Sequence, residues 1–114
     1  MSVFFLLDEG DIVFADVNSI VILNCQLNAT ADSIRWSFSD MQANEHQIQN
    51  GRLMNPRFNS TGRFSVNVTS GSSSLTIDPA QPQDSGRYQC YTESTDSPKF
   101  FVTVVGTSTI FILL

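Results

Sequence analysis

Short stretches in which apolar and polar residues alternate run along most of the chain, and no 3.6-residue apolar period lasts for three helical turns. The stretches are rich in β-branched and aromatic residues and are separated by Gly, Pro, Asn, Asp and Ser, which is typical of β-strands joined by turns. Asn50-Gly51 indicates a tight hairpin, because both residues tolerate positive φ. The sequence therefore predicts an all-β protein with strands at 3–7, 11–15, 19–27, 33–39, 45–49, 52–54, 63–68, 73–78, 86–93 and 99–105.

The alternation also gives each strand an inner and an outer side, because successive side chains point to opposite faces of a sheet. Two antiparallel sheets packed face to face would bury one side of every strand and leave the other wet. Ile20 and Ile22 are an exception, since they fall on the outer side of their strand. Either that strand is covered, or its sheet carries a second apolar patch. The predicted core comprises Val21, Leu23, Cys25, Ile34, Trp36, Phe38, Phe64, Val66, Val68, Leu75, Ile77, Tyr88 and Cys90.

The chain has 114 residues, with 11 acidic against 6 basic side chains and a net charge of -5. This length suits one domain over residues 1–114, with a core at about 3–105 and with 106–114 either extending the last strand or beginning a stem. The acidic balance argues against nucleic acid as a partner, because basic residues would have to neutralise phosphates. No stretch approaches the roughly 20 apolar residues of a membrane span, so we expect contact with a membrane only through a segment outside this chain.

The two cysteines, Cys25 and Cys90, lie too far apart in the sequence for a CxxC redox or zinc motif. With a single histidine in the chain, a structural metal site would lack ligands, so a disulfide or two inert thiols remain. Asn-x-Ser/Thr sequons at Asn28, Asn59 and Asn67 indicate secretion and thereby favour the disulfide. Such a bridge would close a loop long enough to contribute roughly 4 kcal/mol of stability in the chain-entropy model.

The spacing of Cys25 and Trp36, the triplet Leu75-Thr76-Ile77 and the run Asp84-Ser85-Gly86-Arg87-Tyr88-Gln89-Cys90 resemble an immunoglobulin domain over about positions 12 to 105. The D-x-G-x-Y-x-C pattern of that run is the most specific part of the resemblance. The resemblance implies that the two cysteines form a disulfide between the sheets, packed against Trp36. It also implies structural roles for Leu75, for Gly86 at a tight corner and for Tyr88, whose buried hydroxyl needs a partner.

Two further features resemble variable-type domains. The stretch between Trp36 and Arg63 is long enough for the extra strands C′ and C″, and Arg63-Phe64 resembles the start of strand D in light chains. That likeness implies an ion pair between Arg63 and Asp84. After Phe100, however, no Phe-Gly-x-Gly joining-segment motif follows, which favours a receptor, adhesion or co-receptor relative over a rearranged antigen-receptor chain. The expected fold is an all-β, nine-stranded, antiparallel Greek-key variable-type sandwich with one disulfide between its sheets.

Catalysis needs a nucleophile with a base, paired carboxylates or a metal ion. The sole histidine, His46, has no sequence signal that links it to a serine and an acid. The cluster of Asp8, Glu9 and Asp11 lacks the spacing of an EF-hand and is interpreted as a solvated turn. We therefore expect no enzymatic activity, no cofactor and no metal.

Two surfaces compete as binding sites, namely the loops at the end of the sandwich and the face of the sheet formed by strands C (33–39), C′ (45–49), F (86–93) and G (99–105). The sheet face is favoured, because Tyr, Phe and Arg are enriched among residues that dominate interfaces. The adjacent pair Phe100-Phe101 cannot be hidden on one side of a strand. The predicted contact residues are Arg35, Ser37, Gln89, Tyr91 and Glu93, joined by His46 or Ile48 and by one of Phe100 and Phe101.

The resemblance implies an extracellular domain, secreted or on a cell surface, that belongs to an immune-type receptor or adhesion protein. Its expected partner is a protein, including a second copy of the chain as a homodimer through the sheet face. Carbohydrate binding through loops 26–32, 50–51 and 93–99 is an alternative, although a glycan on Asn28 would crowd those loops. A purely structural module in a larger ectodomain is a third reading.

Overall fold

The computed structural model describes residues 10–27, 33–50, 53–69, 71–93 and 99–106. The strand expected at 3–7 and the sequon at Asn28 lie outside these residues. The other expected strands are present as short strands close to their expected positions. One four-residue helix was not anticipated. The described elements are β1 (Gly10–Asp16), β2 (Val21–Gln26), β3 (Arg35–Asp40), β4 (Glu45–Asn50), β5 (Leu53–Met54), α1 (Pro56–Asn59), β6 (Phe64–Thr69), β7 (Ser72–Ile77), a 3-10 helix (Pro82–Asp84), β8 (Gly86–Tyr91) and β9 (Lys99–Val105).

The strands form two sheets, as the alternation predicted. One has six strands in the order β1-β9-β8-β3-β4-β5, and the other has three in the order β2-β7-β6. Every described pair is antiparallel except β1 with β9, which is parallel, so the sheets are mainly antiparallel, as expected. The parallel pair arises because β1 and β2 lie in different sheets, which leaves β1 to run beside the last strand. Among the described residues, no helix is long and apolar enough to cross a bilayer.

The core lies between the two sheets and is centred on the disulfide. Cys25 on β2 and Cys90 on β8 are bonded, which joins the three-stranded sheet to the six-stranded one. Trp36 is fully buried beside them, and its indole N–H donates to Ser73 Oγ at 2.8 Å, so the one polar atom of this side chain is paired. Nearly all of the predicted core is buried. The exceptions are Val66 and Val68 on β6, which are only partly buried and pack against the core.

The helix α1 closes one end of the sandwich. Asn55 caps it by accepting a hydrogen bond from the Arg57 N–H at 3.0 Å, and Pro56 occupies its first turn, where a missing N–H does no harm. Phe58 is buried and meets Phe64 edge-on, with 5.1 Å between ring centroids. A helix of four residues is too short to produce an apolar period, so the sequence pattern gave no sign of it.

The turn before β8 is fixed by a group of hydrogen bonds around Asp84. Arg63 donates to both carboxylate oxygens of Asp84, at 2.6 and 3.0 Å, and the Gln81 N–H donates to the same carboxylate at 2.7 Å. Hydrogen bonding to Asp84 raises the pKa of Arg63. The Tyr88 hydroxyl donates to the Asp84 carbonyl at 2.6 Å, and burial raises the pKa of this hydroxyl.

Gly86 follows directly, where β8 passes close to β3. A Cβ atom at this position would lie 2.3 Å from the Ser39 carbonyl oxygen and 2.7 Å from Phe38 Cε1, and the residue has φ +153°. Only glycine allows this approach without a shift of the neighbouring backbone. The tight corner thereby sets where the outward-facing side chains of β8 lie.

Candidate recognition surface

Cross-strand pairing collects the outward side chains of the six-stranded sheet on one surface, which we call the front face. Gln47, Ser37, Gln89 and Lys99 form one row across β4, β3, β8 and β9. The next row joins residues of the same strands and ends on β1, where Ile12 pairs with Phe101. Exposed or half-exposed members of the front face include Ile12, Phe14, Asp16, Arg35, Ser39, Glu45, Gln47, Arg87, Gln89, Tyr91, Lys99, Phe101, Thr103 and Val105.

The half of the front face on β3, β4 and the end of β8 is polar and internally paired. Arg35 donates through Nε to Asn50 Oδ1 at 3.0 Å and through Nη2 to Glu93 Oε2 at 3.3 Å. Gln47 Nε2 donates to the Tyr91 hydroxyl at 3.2 Å. The Glu93 side chain is 83% exposed, so its ion pair adds at most about 1 kcal/mol to stability. These contacts hold the side chains in defined positions rather than stabilising the fold.

The half of the front face on β1, β8 and β9 is apolar and basic. Phe14 is 74% exposed, Ile12 49% and Phe101 39%. Arg87 lies across from Phe101 on β8, and Lys99 precedes it by two residues on the same side of β9. Within the described part of the chain, neither cation has an ion pair or hydrogen bond through its side chain. This half therefore offers apolar area and free positive charge to a partner.

A shallow pocket of about 360 Å³ extends this apolar half toward the turn between β3 and β4. Phe101 and Arg87 line it from the sheet, and Met41, which is 77% exposed, lines it from the turn. The turn is held by Asp40, whose Oδ1 accepts hydrogen bonds from the backbone N–H groups of Gln42 and Asn44, each at 2.9 Å. The Asn44 N–H is the main cause of the lowered pKa of Asp40.

Four of the expected contact residues do not present their side chains on this surface. Ile48 is fully buried and Phe100 is 4% exposed, so both face the core, and Phe100 stacks on Trp36. Ser37 points outward but is only 4% exposed, which leaves it covered by its neighbours. The expectations for Ile48 and Ser37 were therefore wrong, and Phe100 is the inward member of its pair. One residue of the adjacent pair Phe100-Phe101 was expected to face outward, and Phe101 does so.

His46 is the fourth expected contact residue that is not on the front face. Its side chain lies on the inward side of β4. It pairs across strands with the core residue Phe38, and its ring lies 6.1 Å from that ring and 6.5 Å from the Phe58 ring. Arg57 Nη1 lies 3.1 Å from His46 Nδ1, and Asp40 Oδ2 lies 3.4 Å from Nε2. Because arginine can only donate, Nδ1 accepts and Nε2 carries the proton toward Asp40. His46 shares its side of β4 with the buried Ile48, and that side faces the core.

Other front-face residues were missed from sequence for a different reason. In the strand at 11–15 both alternating positions are apolar, so parity could not tell Ile12 and Phe14 from the inward Val13. Gln47 lies between His46 and Ile48 and faces outward opposite Ser37. Arg87 shares its side of β8 with Gln89 and Tyr91, and that parity was the signal for it.

The described sequons lie away from the front face. Asn67 is exposed on β6 and pairs with Ser74, which places it on the outer side of the three-stranded sheet, here called the back face. Asn59 is exposed at the end of α1. Ile20 and Ile22, also on the outer side of their strand, are 59% and 57% exposed, which resolves the open question in favour of a second apolar patch. Glycans at Asn59 and Asn67 would leave the front face uncovered.

Both the sequence and the fold of this chain match known proteins. A family model described as an immunoglobulin domain matches residues 7–94. The crystal structure of the first immunoglobulin domain of the mouse polymeric immunoglobulin receptor superposes with a TM-score of 0.68 at 12% sequence identity. This match covers 86% of the present chain and 92% of the receptor domain, and at that identity it demonstrates a shared fold alone. No curated protein sequence matches the chain significantly.

Proposed function

Because the chain belongs to the immunoglobulin domain family, we propose that it is an extracellular recognition domain of a receptor or adhesion protein, which binds a protein partner through its front face. Within the family we assign it to the variable type. Strands β4 and β5, which extend the six-stranded sheet beyond β3, support this assignment. The bidentate ion pair of Arg63 with Asp84 supports the likeness to light chains in particular.

One observation carries the choice of surface. Phe101, Ile12 and Phe14 are exposed side by side next to Arg87 and Lys99, whose charges are free within the described residues. Large apolar side chains with an adjacent arginine are the composition that dominates the energy of protein interfaces. On the polar half, Arg35 is held by Asn50 and Glu93, and Gln47 is hydrogen-bonded to Tyr91, which lowers the entropy that binding would take from these side chains.

The extracellular location is supported by two properties of the chain. The Cys25–Cys90 disulfide is of the kind that persists in oxidising compartments. The sequons at Asn59 and Asn67 are exposed, as glycosylation requires, and lie off the proposed binding surface. The loops expected for a carbohydrate-binding alternative lie largely outside the described residues.

The proposal is tested by screening the glycosylated domain against a panel of ectodomains displayed on cells. The Tyr91→Ala/Phe101→Ala variant is expected to lose binding to any ectodomain that the wild type binds. The matched control, Ile20→Ala/Ile22→Ala, removes two large apolar residues that are more exposed than Phe101 from the back face, and it should bind as the wild type does. Binding that the control abolishes and the front-face variant preserves would overturn the proposal.

A further inference from the structure

We propose that the partner of the apolar half of the front face is a second copy of this chain, docked antiparallel so that Lys99 of each copy meets Asp16 of the other. This inference rests on the proposed function and specifies the partner of the same surface. It follows from how charge and apolar residues are ordered along β1 and β9.

Free charges of opposite sign stand at the two ends of the apolar half. At one end Lys99 pairs with Gly10, and at the other end Asp16 pairs with Val105. Asp16 is exposed, and its carboxylate has no hydrogen-bond or ion-pair partner among the described residues. The two rows are six residues apart, or about 20 Å at 3.3 Å per residue. The surface is thus positive at one end and negative at the other.

The apolar side chains lie between these charged ends. Ile12 and Phe101 occupy the row next to Lys99, and Phe14 lies opposite Thr103 in the row beyond, toward Asp16. Phe14 is the most exposed aromatic residue that the structure describes, at 74%. The order along the strands is therefore cation, apolar centre, anion, with Arg87 adding a second positive charge beside Phe101.

An arrangement of this kind is complementary to itself. A two-fold axis in the interface, perpendicular to the strands, exchanges the two ends, so it brings Lys99 of one copy to the row of Asp16 on the other and does so twice. The two residues are on adjacent strands, about 4.8 Å apart sideways, which a lysine side chain spans. The same axis places the Ile12 row against the Phe14 row and buries the apolar centre.

The opposite orientation is disfavoured by the same charges. An axis parallel to the strands would keep each row in place and set Lys99 near Lys99 and Arg87 near Arg87, and like charges facing each other oppose association. An unrelated partner would have to supply an anion and a cation at the same spacing on both sides of an apolar patch. A second copy supplies both by symmetry, and its chain is already present wherever the first one is.

The test is a charge exchange followed by sedimentation of the full 114-residue chain over a range of concentrations. Lys99→Asp sets two carboxylates against each other at both contacts, and Asp16→Lys sets two ammonium groups against each other, so each variant alone should dimerise at least about tenfold more weakly than the wild type. Mixed in equal amounts, the two variants place opposite charges at both contacts. The mixture should therefore form heterodimers with an affinity within about threefold of the wild type.

Two further variants separate loss of the interface from loss of the fold. Phe14→Ser removes the exposed apolar centre and should abolish the dimer, whereas Ile22→Ser makes the same kind of change on the back face and should leave it intact. Recovery on mixing the charge variants also shows that both are folded. A wild type that stays monomeric, a dimer that both charge variants retain, or variants that do not recover when mixed would each overturn the proposal.

The outcome also distinguishes this inference from the proposed function. If the wild type is monomeric but the Tyr91→Ala/Phe101→Ala variant loses binding to another ectodomain, the front face is a recognition surface for a different protein, and only the second copy is ruled out. If neither self-association nor ectodomain binding responds to changes on the front face, both proposals fail.

Discussion

Removal of the Arg63 side chain is expected to destabilise the domain far more than removal of Arg35, although both arginines form ion pairs. The Asp84 side chain is 4% exposed, whereas the Glu93 side chain that pairs with Arg35 is 83% exposed. Without Arg63, Asp84 stays buried and keeps only the hydrogen bond from the Gln81 N–H among those described. Breaking a buried ion pair costs about 3–5 kcal/mol. Because the Gln81 N–H still donates to Asp84, the free energy of unfolding should fall by about 3 kcal/mol, the lower end of this range.

Equilibrium unfolding in urea measures this difference directly. With an m value of about 1.5 kcal/mol/M, Arg63→Ala should lower the midpoint by about 2 M while m stays constant. Arg35→Ala should lower the free energy of unfolding by less than about 1 kcal/mol, because water screens the exposed pair. Arg63→Lys should fall in between, since an ammonium keeps the charge but cannot donate to both carboxylate oxygens with the geometry of a guanidinium.

A double substitution tests the physical reason. Arg63→Ala/Asp84→Ala removes the buried carboxylate together with its partner, so its stability should be higher than the sum of the two single losses predicts. Equal losses for Arg63→Ala and Arg35→Ala, or additive losses for the double variant, would refute the argument that burial of Asp84 sets the magnitude.

Three other changes probe the frame and its pH dependence. Cys25→Ala/Cys90→Ala should lose roughly 4 kcal/mol in urea unfolding by the chain-entropy model, and a loss under about 1 kcal/mol would contradict it. Gly86→Ala should lower stability by about 1–3 kcal/mol in thermal unfolding, because its Cβ meets the neighbouring backbone; an unchanged melting temperature would show that the strands relax freely. The pKa of Asp40 lies below its ordinary value of 3.8, so the stability that this carboxylate contributes is present above pH 3.8 and is lost as the pH falls further. Between about pH 5 and pH 3 the Asp40→Asn variant should therefore lose less stability than the wild type, and equal losses would contradict this prediction.

The strands and their buried sides could be predicted from the sequence because each strand's burial pattern is set by its own residues. Apolar residues at every second position of the strands containing Leu23, Trp36 and Leu75 can be buried only on one side of a sheet, and these residues are fully or almost fully buried. The cysteines could be assigned to opposite sheets through the resemblance, and the disulfide between β2 and β8 confirms that assignment.

The binding surface was accessible only in part, because it depends on pairing between strands. The inward orientation of His46 and Ile48 depends on how β4 pairs with β3, and the register shift between Trp36 and Ser37 leaves no mark in the composition of a single strand. The parallel pairing of β1 with β9 placed Phe14 on the front face, although its strand is apolar on both sides. The helix α1 was missed because Asn55-Pro56 can start a helix or a turn with equal ease.

The central claim is that the front face, and within it the half on β1, β8 and β9, is where this domain binds protein. The most direct measurement is a series of two-dimensional amide NMR spectra of the full chain, recorded on dilution and on addition of any ectodomain it binds. The account predicts that signals of Phe14, Arg87, Lys99 and Phe101 shift with concentration or with added partner, while those of Ile22 and Asn67 do not. Shifts confined to the back face, with the front face unchanged, would contradict it.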